Sequence, residues 1–210
     1  LVTGPTGSGK TTTLYAMLGY IDRPEKNLVT VEDPVEYQLD GINQVNAKAD
    51  VGLTFARAMR AMLRQDPDVI MVGEIRDGET ADMAVKSALT GHLVLSTLHT
   101  NDAAATIVRL VNMGIQPFLL SSCLTLVVAQ RLVRKICQGC KKTFQPSERL
   151  AKELGLLDEQ GRPITIAKGE GCSACLKSGY RGREVISEVM LMTPEMRELV
   201  LKGAPERDLE

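Results

Sequence analysis

The feature that most restricts what this chain can fold into is a glycine-rich stretch close to its first residue. It reads G-P-T-G-S-G-K-T and fits the phosphate-loop pattern G-x-x-x-x-G-K-[ST] at every defined position. Its residues are Gly4, Pro5, Thr6, Gly7, Ser8, Gly9, Lys10 and Thr11, and Thr12 follows them. A glycine-rich turn can match by chance, but this stretch follows an apolar Leu1-Val2 pair and leads into a helical pattern over Lys10–Tyr20. That context predicts a loop between a strand and a helix.

The composition of the loop indicates its chemistry. Glycines let backbone N–H groups turn inward around a polyanion, and the N-terminus of the following helix adds its positive end. In loops of this kind the lysine, here Lys10, reaches the β- and γ-phosphates, and the hydroxyl of the next residue, Thr11, binds Mg²⁺. We therefore predict that residues 4–12 bind a nucleoside triphosphate with magnesium.

Strand and helix patterns alternate through the first 130 residues. Apolar runs typical of buried strands lie at 28–31, at Val69–Val72 and from Leu93 onward. Helical patterns separate them, at 53–64, Gly78–Leu89, 102–113 and from Pro117. This alternation predicts an α/β fold with a mostly parallel sheet covered by helices on both faces. We interpret the apolar residues 118–131 as a buried helix.

The composition places the chain among ordinary globular proteins, because 44% of its 210 residues are hydrophobic and 24% are charged. The net charge is −1 and aromatic residues make up only 3%, which disfavours nucleic acid as the primary ligand.

No apolar run reaches the ~18 residues of a membrane span, and no signal peptide is visible. Only three residues precede Gly4, so we expect the chain to be the C-terminal portion of a longer polypeptide.

Acidic residues follow two of the predicted strands. The run Val69–Val72 leads into Glu74 after one glycine, and the run 28–31 leads into Glu32 and Asp33. In a parallel sheet, groups at the carboxyl ends of strands lie beside the loop, where hydrolysis needs a carboxylate near magnesium and a group that orients water. We predict catalytic roles for Glu74 and Glu32 and leave open which of them positions the water. Solvated loop acids are the alternative interpretation of both.

The two histidines, His92 and His99, flank the strand that begins at Leu93. A regular strand of this length would separate them by about 20 Å. His99 then lies at the phosphate end, where it can sense the γ-phosphate, and we include it among the catalytic candidates. We expect His92 at the opposite end, in an interface or as a structural histidine.

Three arginines share one face of the helix predicted at 53–64, since Arg57, Arg60 and Arg64 have the spacing i, i+3 and i+7. A solvated basic stripe is one interpretation of this face. The other is a set of arginine fingers that reach the nucleotide of a neighbouring subunit.

The chain changes character beyond residue 131, because residues 131–147 hold five basic side chains and no acidic one. Two Cys-x-x-Cys pairs, 31 residues apart, consist of Cys137, Cys140, Cys172 and Cys175. Paired cysteines beside a nucleotide-type loop favour a reducing compartment and a structural zinc ion held by four thiolates. Four thiolates with Zn²⁺ carry a net charge of −2. The basic residues nearby would partly offset this charge; they are Arg134, Lys135, Lys141 and Lys142. Reduced cysteines or a redox pair are the alternatives.

These observations divide the chain into three predicted parts. The first is the α/β core at residues 1–131, and the second is a zinc-binding subdomain at 132–188. The third is a helical segment at 189–210, in which Thr193, Pro194 and Glu195 form a typical helix start.

Four stretches in order resemble the secretion ATPase superfamily, and most closely the type II secretion and type IV pilus assembly ATPases. They are residues 4–11, 31–34 (V-E-D-P), 64–77 (R-Q-D-P-D-V-I-M-V-G-E-I-R-D) and 90–101 (T-G-H-L-V-L-S-T-L-H-T-N). In that family these stretches are the Walker A, Asp-box, Walker B and His-box motifs. The tetracysteine insert is similar to that of the assembly and secretion branch and is absent from pilus-retraction ATPases.

The resemblance implies a RecA-like core, a ring of six subunits, Mg-ATP hydrolysis and docking on an inner-membrane platform protein at the cytoplasmic face. It also implies an N-terminal domain that contributes to the nucleotide site. By this likeness Glu74 is the Walker B carboxylate, and Arg60 and Arg64 are candidate inter-subunit contacts. A motor is therefore the first hypothesis; a nucleic-acid translocase and a scaffold that hydrolyses ATP negligibly are the competitors. The likeness does not distinguish secretion from pilus assembly.

Overall fold

The computed structural model describes residues 1–21 and 25–209, in which strands and helices mostly alternate as far as residue 123, apart from the successive strands β2 and β3 and the successive helices α4 and α5. The strands are β1 (Val2–Thr3), β2 (Leu28–Glu32), β3 (Asn43–Asn46), β4 (Val69–Val72), β5 (Leu93–Leu98), β6 (Leu126–Ile136), β7 (Lys141–Phe144), β8 (Ile166–Gly169) and β9 (Tyr180–Leu191). The helices are α1 (Lys10–Tyr20), α2 (Phe55–Met62), α3 (Gly78–Leu89), α4 (Ala103–Asn112), α5 (Pro117–Cys123), α6 (Glu148–Glu153), α7 (Pro194–Leu201) and α8 (Glu206–Leu209). Within these ranges, no helix is both long and apolar enough to cross a bilayer.

Seven strands form the main sheet, in the order β3-β2-β4-β5-β1-β6-β9, and β7 pairs with β8 in a separate antiparallel ribbon. The pairings from β3 through β6 are parallel. Strand β1 lies between β5 and β6, with Val2 opposite Thr97 and Val128. The loop after β1 therefore leaves the middle of the sheet, and the predicted mostly parallel α/β fold is confirmed.

Side chains of the central strands alternate between two apolar clusters, as the two faces of a sheet require. On one face Leu28, Val69 and Met71 pack with Leu14 and Leu18 of α1. On the other face lies the larger cluster, with contributions from α2, α3, α4, α5 and α7. Helices therefore cover both faces, as predicted, and among the described helices α1 is the one that covers the first face.

Polar side chains mark the starts of five helices. At each of these starts the side chain of the residue before the helix accepts a hydrogen bond from the backbone N–H three residues further on, which satisfies a donor that the helix leaves unpaired. This holds at Asp77, Asp102, Ser147 and Thr193. Thr54 caps α2 in the same way, so this helix begins at Phe55. It ends at Met62, where a short 3₁₀ turn follows.

The prediction of a buried helix over residues 118–131 was right as far as Cys123 and wrong beyond it. Helix α5 ends at Cys123, and β6 begins at Leu126. A short apolar run fits both a buried helix and a buried strand, and tertiary context decides between them. Here Val128 pairs with Val2 of β1, so the run extends the sheet beside the first strand.

Strand β3 was also not foreseen. Its parallel pairing with β2 is reached through residues 33–42, a connection that contains no helix. The pattern of β3 explains the omission, because its four residues, Asn43–Asn46, are mostly polar and none of them is fully buried. Strand β9 was not foreseen either, and most of its side chains are exposed.

The described chain separates into two compact units, one formed by residues 1–131 and 186–210 and the other by residues 132–185. Helix α7 packs against α5, and α8 packs against α4, within the first unit. The second unit holds the ribbon of β7 and β8, helix α6 and the four cysteines of the predicted metal site.

Candidate nucleotide and metal sites

The loop between β1 and α1 has a backbone that only glycine adopts readily. Gly9, which caps the N-terminus of α1, has φ +89°, and Gly4 has φ +138°. A Cβ atom at Gly4 would lie 2.3 Å from the backbone oxygen of Gln130. The loop is therefore pressed against β6 at Gly4, where glycine is required by space as well as by conformation.

The ammonium group of Lys10 folds back onto its own loop. Its Nζ donates hydrogen bonds to the backbone oxygens of Gly4, at 2.9 Å, and of Pro5, at 3.2 Å. Burial lowers the pKa of Lys10, and the nearby carboxylate of Glu74 acts in the opposite direction. Among the described residues, both hydrogen-bond acceptors of this buried cation are neutral carbonyls, which it can exchange for the oxygens of a polyanion.

Two further observations show that the loop fits a phosphate group. Ser8 is 2% exposed, and its hydroxyl oxygen has no hydrogen-bond partner among the described residues. An unpaired buried hydroxyl is uncommon, and one inside a loop of positive φ is consistent with a ligand that supplies the missing partner. The hydroxyl of Thr11 stands at the first turn of α1, the position from which such loops bind magnesium.

A cavity of about 500 Å³ opens beside the loop, at the carboxyl ends of β2, β4 and β5. The predicted residues that line it are Thr6, Gly7, Gly9, Lys10, Thr11, Thr12, Glu32, Asp33, Glu74 and His99. The structure thus brings the two candidate acids and the predicted histidine together around the phosphate loop. A parallel sheet has this geometry because all its strands end at the same edge.

Glu74 lies among positive groups in this cavity. Its carboxylate pairs with Arg76, and its Oε2 lies 3.4 Å from Nε2 of His99. The hydrogen bond from Arg76 holds the pKa of Glu74 below its ordinary value, against the effect of burial, and the charges of Arg76, His99 and Lys10 act in the same direction. Glu74 is therefore an ionised carboxylate at neutral pH.

Glu32 has a different environment, because its neighbours are uncharged donors. It is the last residue of β2 and is 2% exposed, so it is not a solvated loop acid. Tyr15 donates its hydroxyl hydrogen to Oε2, while Thr30, at 2.6 Å, and Gln44, at 3.1 Å, donate to Oε1. The hydrogen bond and burial raise the pKa of Tyr15 to about 12, with burial the larger cause.

The predicted arginines do not reach this cavity within the described chain. Arg60 forms an ion pair with Glu79, and Arg57 donates to the backbone oxygen of Gly52 at 3.2 Å. Arg64 lies in the 3₁₀ turn after α2, where none of residues 1–21 and 25–209 pairs with its side chain. If Arg60 and Arg64 act at a nucleotide, it is that of another copy of the chain.

His92 lies at the end of β5 opposite to His99, as expected from the strand length. Its Nδ1 is 2.9 Å from the backbone oxygen of Ser87 and 3.1 Å from the hydroxyl of Thr90. These contacts join the C-terminus of α3 to the start of β5. They fit the expectation of a structural histidine at this end of the strand.

Sequence reasoning missed the contribution of Gln130. This buried residue of β6 donates from Nε2 to the backbone oxygen of Ser8 at 2.9 Å, and its Oε1 accepts from the Thr13 hydroxyl at 3.0 Å. It therefore joins β6 to the phosphate loop and to α1. The one available signal was a glutamine inside an apolar run, since buried polar groups need a reason.

The four predicted cysteines come together in the second unit. The sulfurs of Cys137 and Cys172, and those of Cys140 and Cys175, lie 3.8 Å apart, and all four lie within 4.8 Å of one another. Tetrahedral zinc with Zn–S bonds of about 2.3 Å requires S–S spacings near 3.8 Å, whereas a disulfide would bring two sulfurs to about 2.05 Å. Backbone N–H groups of Gly171, at 3.2 Å, and Gly179, at 3.3 Å, point at two of the sulfurs, as thiolates prefer.

The fold and the loop define a phosphate-loop α/β protein with a four-cysteine subdomain. The family model described as "Type II/IV secretion system protein" matches residues 1–210, and the chain belongs to this family. The predicted membership in the secretion ATPase superfamily is confirmed.

Similar proteins agree with this assignment. The chain is 54% identical over 209 residues to "Type II secretion system protein E" of Pseudomonas aeruginosa and 53% identical over 211 residues to "Type IV pilus assembly ATPase PilB" of Myxococcus xanthus. Both alignments cover 100% of this chain but only 41% and 37% of the relatives, so the chain spans about two fifths of their length. Among solved structures, that of the pilus retraction motor PilT with bound ADP is similar at a TM-score of 0.69 and 34% identity, over 96% of this chain and 49% of the other.

Proposed function

We propose that this chain is the ATP-hydrolysing part of a motor for type II secretion or type IV pilus assembly. The observation that carries the proposal is the convergence of Lys10, Glu74, Glu32 and His99 on one cavity beside the phosphate loop. The names of the similar proteins support it, since they describe secretion proteins, a pilus assembly ATPase and a pilus motor with bound ADP. Identities of 54% and 53% to the two kinds of relative do not separate secretion from pilus assembly.

The proposed roles follow from the position of each side chain. The loop amides of residues 4–12 bind the phosphates of ATP, and Lys10 exchanges its two carbonyl partners for β- and γ-phosphate oxygens. Thr11 and the ionised Glu74 would hold Mg²⁺, which would neutralise charge that develops on the phosphates. His99 contacts Glu74 and is placed to respond to the γ-phosphate.

We assign the positioning of the attacking water to Glu32. Glu74 already pairs with Arg76 and His99 and is better suited to the metal side. The Glu32 carboxylate receives three neutral hydrogen bonds, and a carboxylate has about four acceptor positions, so one remains for water. A fixed carboxylate that faces the cavity with one free acceptor position can orient a water molecule for in-line attack.

Assembly and partners extend the proposal to the whole protein. We propose a ring of six copies in which Arg60 and Arg64 contact a neighbouring subunit, and a position on the cytoplasmic face of the bacterial inner membrane through a platform protein. The secretion and pilus names of the relatives support this setting. We further propose that Cys137, Cys140, Cys172 and Cys175 bind one structural zinc ion. With four thiolates the metal has no open position for chemistry.

Steady-state ATPase measurements on the full-length protein test this proposal. We expect magnesium-dependent turnover that is abolished by Lys10→Ala, whereas an exposed lysine such as Lys152 serves as the matched control. Nucleotide binding without Lys10-dependent turnover would favour a scaffold instead. Stimulation of hydrolysis by DNA at low salt would favour a nucleic-acid translocase.

A further inference from the structure

We infer that Tyr15 and Gln44 are positioning residues that hold the Glu32 carboxylate in the orientation needed to direct a water molecule. The inference rests on the function proposed above and concerns residues to which no motif assigns a role. Tyr15 lies five positions after Lys10 on α1, and Gln44 lies on β3, the polar strand at the edge of the sheet. Both reach the same buried carboxylate from different elements.

The hydrogen bonds fix Glu32 at both of its oxygens. Tyr15 donates to Oε2, and Gln44 donates from Nε2 to Oε1 at 3.1 Å, where Thr30 also donates at 2.6 Å. Each oxygen is thus held from a separate direction, so rotation of the carboxylate would break at least two hydrogen bonds. All three donors are neutral, so the orientation of Glu32 does not depend on an ion pair that magnesium or phosphate would disturb.

The two positioning residues are themselves fixed by the connection between β2 and β3. The Tyr15 hydroxyl oxygen accepts from the backbone N–H of Glu36 at 3.3 Å. Gln44 accepts at Oε1 from the backbone N–H of Leu39 at 2.6 Å and donates from Nε2 to the backbone oxygen of Tyr37 at 3.3 Å. These hydrogen bonds also hold the connection between β2 and β3 (residues 33–42), which contains no helix, beside the cavity.

The arrangement links the phosphate loop to the proposed water-positioning acid. Lys10 and Tyr15 are both buried residues of α1, a helix packed against the sheet through Leu14 and Leu18. The helix that presents Lys10 to the phosphates therefore also presents a hydroxyl to Glu32. A displacement of about 1 Å at a reacting group can reduce a rate by about a hundredfold, so loss of this support is expected to affect turnover.

Tyr15→Phe tests the inference because it keeps the buried ring and removes only the hydroxyl. In the full-length protein we expect kcat to fall by about 10- to 100-fold, with KM for Mg-ATP within about twofold of the wild-type value. Gln44→Met, which removes the amide at similar volume, should behave in the same way. Tyr20→Phe is the matched control, since Tyr20 lies on the same helix and is 95% exposed.

A mutant cycle with Glu32→Gln separates positioning from a general loss of stability. If Tyr15 acts through Glu32, Tyr15→Phe will lower kcat little further in the Glu32→Gln protein. Equal losses in both backgrounds, or unchanged kcat in Tyr15→Phe and Gln44→Met beside a strong effect of Glu32→Gln, would overturn the inference alone. Absence of Lys10-dependent turnover in the wild-type protein would instead overturn the proposed function and this inference with it.

Discussion

Oε2 of Glu74 and Nε2 of His99 lie 3.4 Å apart, although 24 residues separate them in the chain. Strands β4 and β5 are paired in parallel with Val72 opposite Ser96, so both strands deliver their next residues to the same edge of the sheet. The contact joins two of the four motifs that characterise the sequence. The cavity is thus organised by strand register more than by contacts between neighbouring residues.

The ion pair between Glu74 and Arg76 gives a prediction about the pH dependence of stability. Because Arg76 lowers the pKa of Glu74 from 4.5, the pair stabilises the fold above pH 4.5 and loses this effect as pH falls through the lowered pKa. Arg76→Gln should therefore cost about 1 kcal/mol or less at pH 7, since the arginine is half-exposed. Urea unfolding between pH 7 and pH 3 should show the difference shrinking with acidification.

The matched control for this experiment is Glu74→Gln, which removes the titrating group but keeps its shape. In that background the effect of Arg76→Gln should lose most of its pH dependence, with only the weaker pairing to Asp33 remaining. A cost of Arg76→Gln that stays constant or grows towards pH 3 would contradict the assignment.

Two glycines of the phosphate loop should respond differently to alanine. Both have positive φ, but a Cβ at Gly4 would meet the backbone oxygen of Gln130 at 2.3 Å, whereas a Cβ at Gly7 has no neighbour within 4 Å. Gly7→Ala should cost about 1–2 kcal/mol for the left-handed backbone alone. Gly4→Ala should cost more, by an amount that chemical unfolding can measure. Equal costs would show that β6 does not press against the loop.

Gln130 should stabilise the phosphate loop through its two hydrogen bonds. Gln130→Ala would leave the buried oxygen of Ser8 without its donor, at a cost of about 1–3 kcal/mol, and should weaken nucleotide binding. Unfolding and nucleotide titrations measure the two effects. Gln160→Ala, at an exposed position, is the control. Unaltered stability and binding in Gln130→Ala would mean that the loop does not depend on β6.

The cysteine tetrad predicts about one zinc ion per chain. Removal of the metal by a chelator, or Cys172→Ser, should unfold the second unit while the first keeps its structure, because a site of this kind contributes directly to folding. Elemental analysis and circular dichroism measure the two effects, and Cys123→Ser, outside the tetrad, is the control. Zinc content far below one per chain would contradict the assignment.

Much of the fold could be predicted because local signals agreed with the tertiary structure. Helices α1 and α3 and strand β4 lie within the predicted bounds, since the phosphate-loop motif precedes α1, Asp77 caps α3, and β4 is a continuous apolar run. The predicted helix over 118–131, which was wrong beyond Cys123, and the missed β3 arose where the local pattern was ambiguous or polar. In both places a pairing with a distant strand decides the structure.

Some residues of the candidate site could likewise be predicted from the sequence, and others could not. Lys10, Glu74 and His99 could be placed at one edge of the sheet because their strands and loop were recognisable. Tyr15 and Gln130 could not, because each acts on a residue that only the three-dimensional packing brings near. A periodic pattern shows which face of an element is buried, but it does not show which partner lies opposite.

The central claim is that residues 4–12 bind the phosphates of ATP with magnesium. Calorimetric titration of the full-length protein with magnesium and a non-hydrolysable ATP analogue tests this claim most directly, with Lys10→Ala as the comparison. We predict saturable binding at the site of each chain and a loss of affinity of at least about tenfold in Lys10→Ala, equivalent to about 1.4 kcal/mol. Absence of binding by the wild-type protein, or equal affinity in the two proteins, would contradict the account.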